Sequence, residues 1–328
     1  MSNAEEQLEQ EITGEKPRVV PNQSKGLSLL AEPAPIPLIL PSKGILYKND
    51  PKVGEVDKDG QIFIRPITLD DLELFVNPEL IETGTVIDAL FNRIIKSKIN
   101  PKYLLVSDRN YILLYARAQS YGPEYSFSFK CKACDKSIKK MIDLGDLTVR
   151  YLDEIHGQVN ERGDLIPDSV KKIKEPFVAN LSMSGAKVTF NLARGIDESE
   201  ANTNKYRNRV KKEVEKKKQV LSNVPDETTV TMEEQPDSLI DVLSRNIIKI
   251  ESADSSETFT DEKDIRLVLS KLKAGDISEL QEQMRSADSG VDMNTEVVCP
   301  SCKHRNEVSV PLNENFFRRE VRQRSTQK

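Results

Sequence analysis

Four cysteines, Cys131, Cys134, Cys299 and Cys302, form two CxxC pairs, and none is left over. Thiols so paired can bind a soft metal, cycle as a redox dithiol, or sit in turns without a metal. The metal reading needs the two-residue gap. It lets both thiolates reach one ion at about 2.3 Å while N–H groups of the turn bond back to sulfur. Lys130, Lys132, Lys136, Lys303 and Arg305 crowd the pairs and would screen four thiolates, and His304 stands beside the second pair. The other histidine, His156, is given no role. A redox dithiol would open a helix after a strand, which neither pair does. Between the pairs lie residues 135–298, 164 in all, against roughly 15–20 in a compact zinc ribbon. Either the two halves meet across a domain-sized insertion, or they are unrelated metal-free turns. The favoured reading is one zinc held by all four. A closed four-thiolate site has no open position for water, so its role is structural.

The elements around the pairs share one grammar. Tyr125, Phe127 and Phe129 alternate into the first CxxC, and Ile138, Lys140 and Ile142 alternate out of it. Val297 leads into the second, and Val308, Val310 and Leu312 lead out. Each pair therefore belongs on a β-hairpin tip.

Elsewhere, "GQIFIRPIT" reads as a strand and Thr68 as the N-cap of "LDDLELF". Apolar spacing predicts a helix over 79–97 and another over 107–120, the latter capped by Ser107 or Asp108 and stopped at Gly122-Pro123. "FVANLSMSGAKVTFNL" predicts a hairpin turning at Ser184-Gly185, and 195–220 a charged helix followed by a polar loop. "SLIDVLSRNIIKIES" predicts a helix running into a strand. "DEKDIRLVLSKL" and "GDISELQEQMRSA" predict two amphipathic helices.

The fold class is α+β, a mixed body with a four-cysteine zinc-ribbon-like site made by two distant CxxC hairpins. Its parts are a flexible arm over 1–35, an α+β part over 36–145 with the first knuckle, an inserted α+β segment over 146–290, the second knuckle over 291–317, and a tail over 318–328.

Charged residues make up 31% of the chain, above the roughly 25% of an average domain, so long polar surface segments are expected. No apolar run approaches the ~20 residues of a membrane span. The acidic opening "MSNAEEQLEQEITGEKP" lacks the basic-then-apolar plan of a signal peptide. Gly-rich phosphate loops, HExxH and GxSxG are missing, and no spare cysteine could serve as nucleophile, so an enzyme is not expected. A nucleic-acid-binding zinc-ribbon module is the rival reading. It would use the knuckle lysines and the basic run "KYRNRVKKEVEKKK", with eight basic and two acidic residues, against the phosphate backbone. A net charge of −5 and the absence of tryptophan count against it.

Several segments together carry a family likeness: "LPSKGILY", "IFIRPITLDDLELF", "LLVSDRNYILLYARAQSYGPEYSFSFKCKAC", "LSMSGAKVTFNLARGIDE" and "CPSCKHRNEVSVPLNENFF". Over roughly 36–317 the chain resembles the baseplate proteins of T4-type contractile-tailed phages, the hub-subunit group in particular. The resemblance implies a structural or assembly component of the virion tail, put together in the host cytoplasm and oligomeric there. It would contact other hub proteins, with the tape-measure protein as a further contact. The family's paired CxxC falls on Cys131, Cys134, Cys299 and Cys302. No membrane contact is implied, and nucleic acid is not an expected partner.

Overall fold

The computed structural model describes residues 32–48, 50–57, 59–199, 239–312 and 314–317. Nearly all of the arm, most of the charged helix and the loop after it, and the tail lie outside the described residues. Helix and sheet are mixed, in two compact units. Of the described residues, one unit takes those within Leu113–Thr148 and from Asp292 to Phe317, the other those within Ala34–Ile112 and Val149–Val291.

In the larger unit β1 (Ile36–Ile39) pairs antiparallel with β2 (Gln61–Ile64). Leu38, Ile62 and Ile64 are buried, while Ile39 and Phe63 face outward, as a period of two requires. The link between these strands opens with the Pro41–Gly44 turn, where Lys43 and Gly44 take left-handed φ values of 48° and 65°. A Cβ on Gly60 would lie 2.3 Å from the Lys43 carbonyl carbon, so only glycine fits beside this turn.

The turn delivers Ser42 and Tyr47 to Asp108 on the helix Val106–Tyr121. Ser42 donates its N–H (3.0 Å) and its hydroxyl (2.5 Å) to the two carboxylate oxygens, and the Tyr47 hydroxyl donates to one of them. Tyr47 in turn accepts the Leu105 N–H at 2.8 Å. The expectation that Ser107 or Asp108 caps this helix is therefore corrected. Both lie inside its first turn, and the Asp108 carboxylate is spent on the PSKG turn. Burial pushes the Asp108 carboxyl up despite its three donors, and burial beside Asp108 holds the Tyr47 hydroxyl well above its ordinary range. The next residue, Arg109, donates to Asp88 at 2.9 Å and to the Pro101 carbonyl at 3.0 Å, with its guanidinium 4.7 Å from the Phe91 ring centre.

The helix expected over 79–97 is two helices, Pro78–Thr83 and Val86–Ile94. Gly84, at φ 68°, ends the first, and the Asn77 side chain caps its start by accepting from Glu79 and Leu80. Leu90, Phe91 and Ile94 of the second helix are buried.

The larger unit also holds an antiparallel sheet in the order β6 (Phe177–Asn180), β7 (Lys187–Phe190), β8 (Ile247–Glu251), β9 (Thr258–Phe259). Its Ala179, Val188, Phe190, Ile247 and Ile250 are buried. The β6 edge and the turn after it are covered by side chains of the helix Ala274–Ala287. Gln283 exchanges two hydrogen bonds with the backbone of Asn180, Glu279 takes the Ser182 N–H, and Asp276 takes the Met183 N–H. A helix here does the work of a neighbouring strand. His156 stacks on Phe177 with ring centres 4.7 Å apart and bonds to the Ala287 carbonyl, which accounts for it as packing. The short strands β5 (Val149–Arg150) and β10 (Gly290–Val291) pair with each other.

Among the described residues the smaller unit holds two hairpins, the second half of the 106–121 helix, the turn Leu144–Asp146 and the turn Glu314–Phe317. The first hairpin is β3 (Glu124–Lys130) with β4 (Ser137–Asp143), the second β11 (Asn294–Val298) with β12 (Arg305–Ser309). Arg117 is buried at their base. It donates to the Phe316 carbonyl and the Gly122 carbonyl, each at 3.0 Å, and its guanidinium lies over the rings of Tyr121, Tyr125 and Phe316. One cation thus ties helix, first hairpin and C-terminal Phe-Phe turn together.

Asp108 gives the most exposed test of this fold. Asp108→Ala leaves two Ser42 donors and the Tyr47 hydroxyl buried without an acceptor. The expected loss is about 3 kcal/mol, read as a lower urea midpoint at unchanged slope; a shift within error of zero would remove Asp108 from the centre of the fold.

Candidate metal centre

The tip of each hairpin is a six-residue loop, 131–136 and 299–304, closed by two backbone bonds. In the first, Cys131 N–H reaches the Lys136 carbonyl (3.0 Å) and Asp135 N–H the Cys131 carbonyl (3.0 Å). In the second, Cys299 N–H reaches the His304 carbonyl (2.8 Å) and Lys303 N–H the Cys299 carbonyl (3.0 Å). The residue after each second cysteine is left-handed, Asp135 at φ 55° and Lys303 at φ 62°. The two tips are the same turn made twice.

Their sulfurs converge. One ligand atom from each of Cys131, Cys134, Cys299 and Cys302 lies within 4.8 Å of all the others, an arrangement compatible with a single metal ion. Across the tips, Cys131 Sγ is 3.6 Å from Cys302 Sγ and Cys134 Sγ is 3.8 Å from Cys299 Sγ. All four are free thiols, not disulfides. Cys131 and Cys299 are fully buried with Ile138 and Val297, and Phe129 packs against them; Cys302 is exposed.

Backbone N–H groups aim at the sulfurs. Those of Ala133 and Cys134 hold the Cys131 thiol down to about 6, and those of Cys302 and Ser301 pull the Cys299 thiol down. Cys302 goes the other way. The His304 N–H pulls its thiol down, but desolvation and bonds to the other three cysteines push it up to about 12. Four thiolates this close repel one another, and a cation among them is what lets all four ionise together. The donor set is all sulfur, which selects soft or borderline metals over Mg²⁺ or Ca²⁺.

One residue of the centre escaped the sequence. Asn306, on β12 of the second hairpin, is buried. Its amide oxygen accepts the Lys132 N–H of the first tip at 3.0 Å. Its NH₂ donates to the His304 carbonyl at 3.1 Å and points at Cys131 Sγ at 3.6 Å. It bridges the two halves through both ends of one amide. Only its inward register on an alternating strand could have marked it. His304 takes part through its backbone, while its ring is exposed. Arg305, expected to screen the thiolates, pairs instead with Glu296 across the hairpin at 3.3 Å.

With this geometry in place, comparison with known families is decisive. Residues 49–318 match the family described as T4 bacteriophage base plate protein. The chain belongs to that family. No curated protein and no solved structure matches it. The match takes in both halves of the sulfur cluster and the Asp108-Arg109 pair, and starts just after the PSKG turn. As a baseplate protein the chain has a structural place in the phage tail and works among other baseplate components. No helix among the described residues is long and apolar enough to cross a membrane.

For this baseplate protein, Asn306→Ala is expected to leave the Lys132 N–H unpaired at the centre. The cost is about 1–3 kcal/mol, with hydrogen exchange at the Lys132 and Cys131 amides accelerated while exchange across β6–β9 is unchanged. Equal acceleration in both places would mean that Asn306 holds the whole fold, not the cluster.

Proposed function

We propose that this baseplate protein is a structural or assembly component of the tail hub, contacting other hub proteins and the tape-measure protein as part of an oligomeric assembly. Its Cys131, Cys134, Cys299 and Cys302 hold one structural zinc. The family match over 49–318 carries the first half of this reading. Its hub part rests on the sequence likeness of the segments around the two CxxC pairs.

The sulfur geometry supports the zinc. Four thiolates at about 2.3 Å from one tetrahedral ion stand about 3.8 Å apart, and the two cross-tip contacts are 3.6 and 3.8 Å. All four ligand positions are filled by protein, so the ion would clamp two hairpins and activate nothing. No step of chemistry is assigned to it, and the role proposed is non-catalytic. The rival nucleic-acid reading is weakened by the aromatic residues next to the first tip. Tyr125 and Phe127 are buried and Phe129 packs on the cysteines, so none is presented to stack on a base.

Two measurements test the proposal separately. Because the site is shared, Cys299→Ser should drop bound zinc from one equivalent to well below half, counted by elemental analysis of the purified chain. Retention of a full equivalent would end the four-ligand reading. For the tail role, quantitative mass spectrometry of intact virions should find a fixed low copy number in the baseplate fraction. Presence in infected-cell lysate alone would make the protein a factor that leaves after assembly, and absence from both tails and tail precursors would overturn the reading.

A further inference from the structure

We infer that the cluster is also an oxidation site whose product stitches the two hairpins together: Cys131 to Cys302 and Cys134 to Cys299, rather than each CxxC closing on itself. The inference rests on the four-thiol reading of the centre and not on which metal sits there.

Two observations carry it. The contacts of 3.6 Å and 3.8 Å run between the tips, and bond formation shortens each to about 2.0 Å along a line the sulfurs already share. Second, access is one-sided. Cys302 is exposed whereas Cys131 and Cys299 are fully buried, so an oxidant in solution meets Cys302 first.

With a peroxide as oxidant the steps balance. The exposed Cys302 sulfur gives up its proton and attacks one peroxide oxygen, the O–O bond breaks, and Cys302 becomes a sulfenic acid as hydroxide leaves and takes up a proton to give water. Cys131 sulfur then displaces the hydroxyl group, forming the Cys131–Cys302 bond and a second water. Two thiols lose two electrons and one peroxide gains them. A second peroxide does the same for Cys134 and Cys299. A metal held by the four thiolates is released as its ligands are consumed. A part of a virion tail leaves a reducing cell for an oxidising medium, which is where such a reaction has an oxidant.

Trypsin makes the test direct. It separates Cys131 (in residues 131–132) from Cys134 (in residues 133–136) and leaves Cys299 and Cys302 together in residues 286–303. The full chain is treated with graded hydrogen peroxide, alkylated and digested without reduction, and zinc release is followed with a coloured chelator. The expected products join 131–132 and 133–136 each to 286–303, with two peroxides consumed per chain. In Cys302→Ser, Cys131 should be recovered alkylated while Cys134 remains joined to 286–303. Peptide 131–132 joined to 133–136, sulfinic or sulfonic acids without cross-links, or Cys131 joined to Cys299 in the Cys302→Ser chain would each overturn the pairing. The peptide map decides this whether or not the chain carried zinc, so failure of the metal reading is seen separately in the chelator signal.

Discussion

Bringing four sulfurs within 4.8 Å of one another when 164 residues separate the two pairs is the constraint that the smaller unit is built around. The chain must leave that unit after β4 and return to it before β11. It leaves and returns at adjacent points, because the Asp292 N–H bonds to the Thr148 carbonyl at 2.9 Å. Beyond these points the chain runs out and back as the paired strands β5 and β10. Loop-closure entropy grows only with the logarithm of length. An insertion of this size therefore costs about 2 kcal/mol more than the link of a compact ribbon. Burying two cysteines with Ile138 and Val297 and bridging the tips through Asn306 readily offsets a cost of that size.

The turn that presents the cysteines is not itself a metal-binding device. The β6–β7 hairpin closes a six-residue loop in the same way, with Leu181 N–H on the Ala186 carbonyl and Gly185 N–H on the Leu181 carbonyl, each at 2.9 Å. Gly185 is left-handed at φ 71°, in the place of Asp135 and Lys303. Leu181 and Ser184 stand where the cysteines stand. Backbone geometry therefore sets the direction of the two side chains, and side-chain chemistry alone decides whether the loop is a ligand pair or a plain bend. Asp135 and Lys303 accept a conformation that Gly185 adopts without strain, the cost of keeping a charged residue beside the sulfurs.

Much of this was legible because it rests on local rules. Alternation of Tyr125, Phe127 and Phe129 set the first hairpin, and CxxC set its tip. The hairpin at Ser184-Gly185 followed from glycine and flanking alternation. What escaped were features decided by distant partners. Asp108 looked like a cap because aspartate before an apolar run usually is one; Ser42 and Tyr47, 66 and 61 positions away, claimed its carboxylate instead. Asn306 was a polar residue in a strand until Lys132 arrived opposite it. The break at Gly84 was visible as an N-P-E start and a glycine stop, but the apolar spacing on both sides ran through it and won. Arg117 carried no signal at all, since its partner Phe316, 199 positions on, becomes a neighbour only when the C-terminal turn comes home.

The wide separation of the two cysteine tips also has a meaning in time. A ribosome adding about 5–20 residues per second needs about 8–33 s to pass from the first tip to the second. Through that interval Cys131 and Cys134 are a finished turn without its complement, able to hold a metal by two sulfurs at most. The larger unit's insertion, by contrast, is complete before Cys299 is made. The order of synthesis thus places closure of the sulfur cluster after the whole insertion has been made.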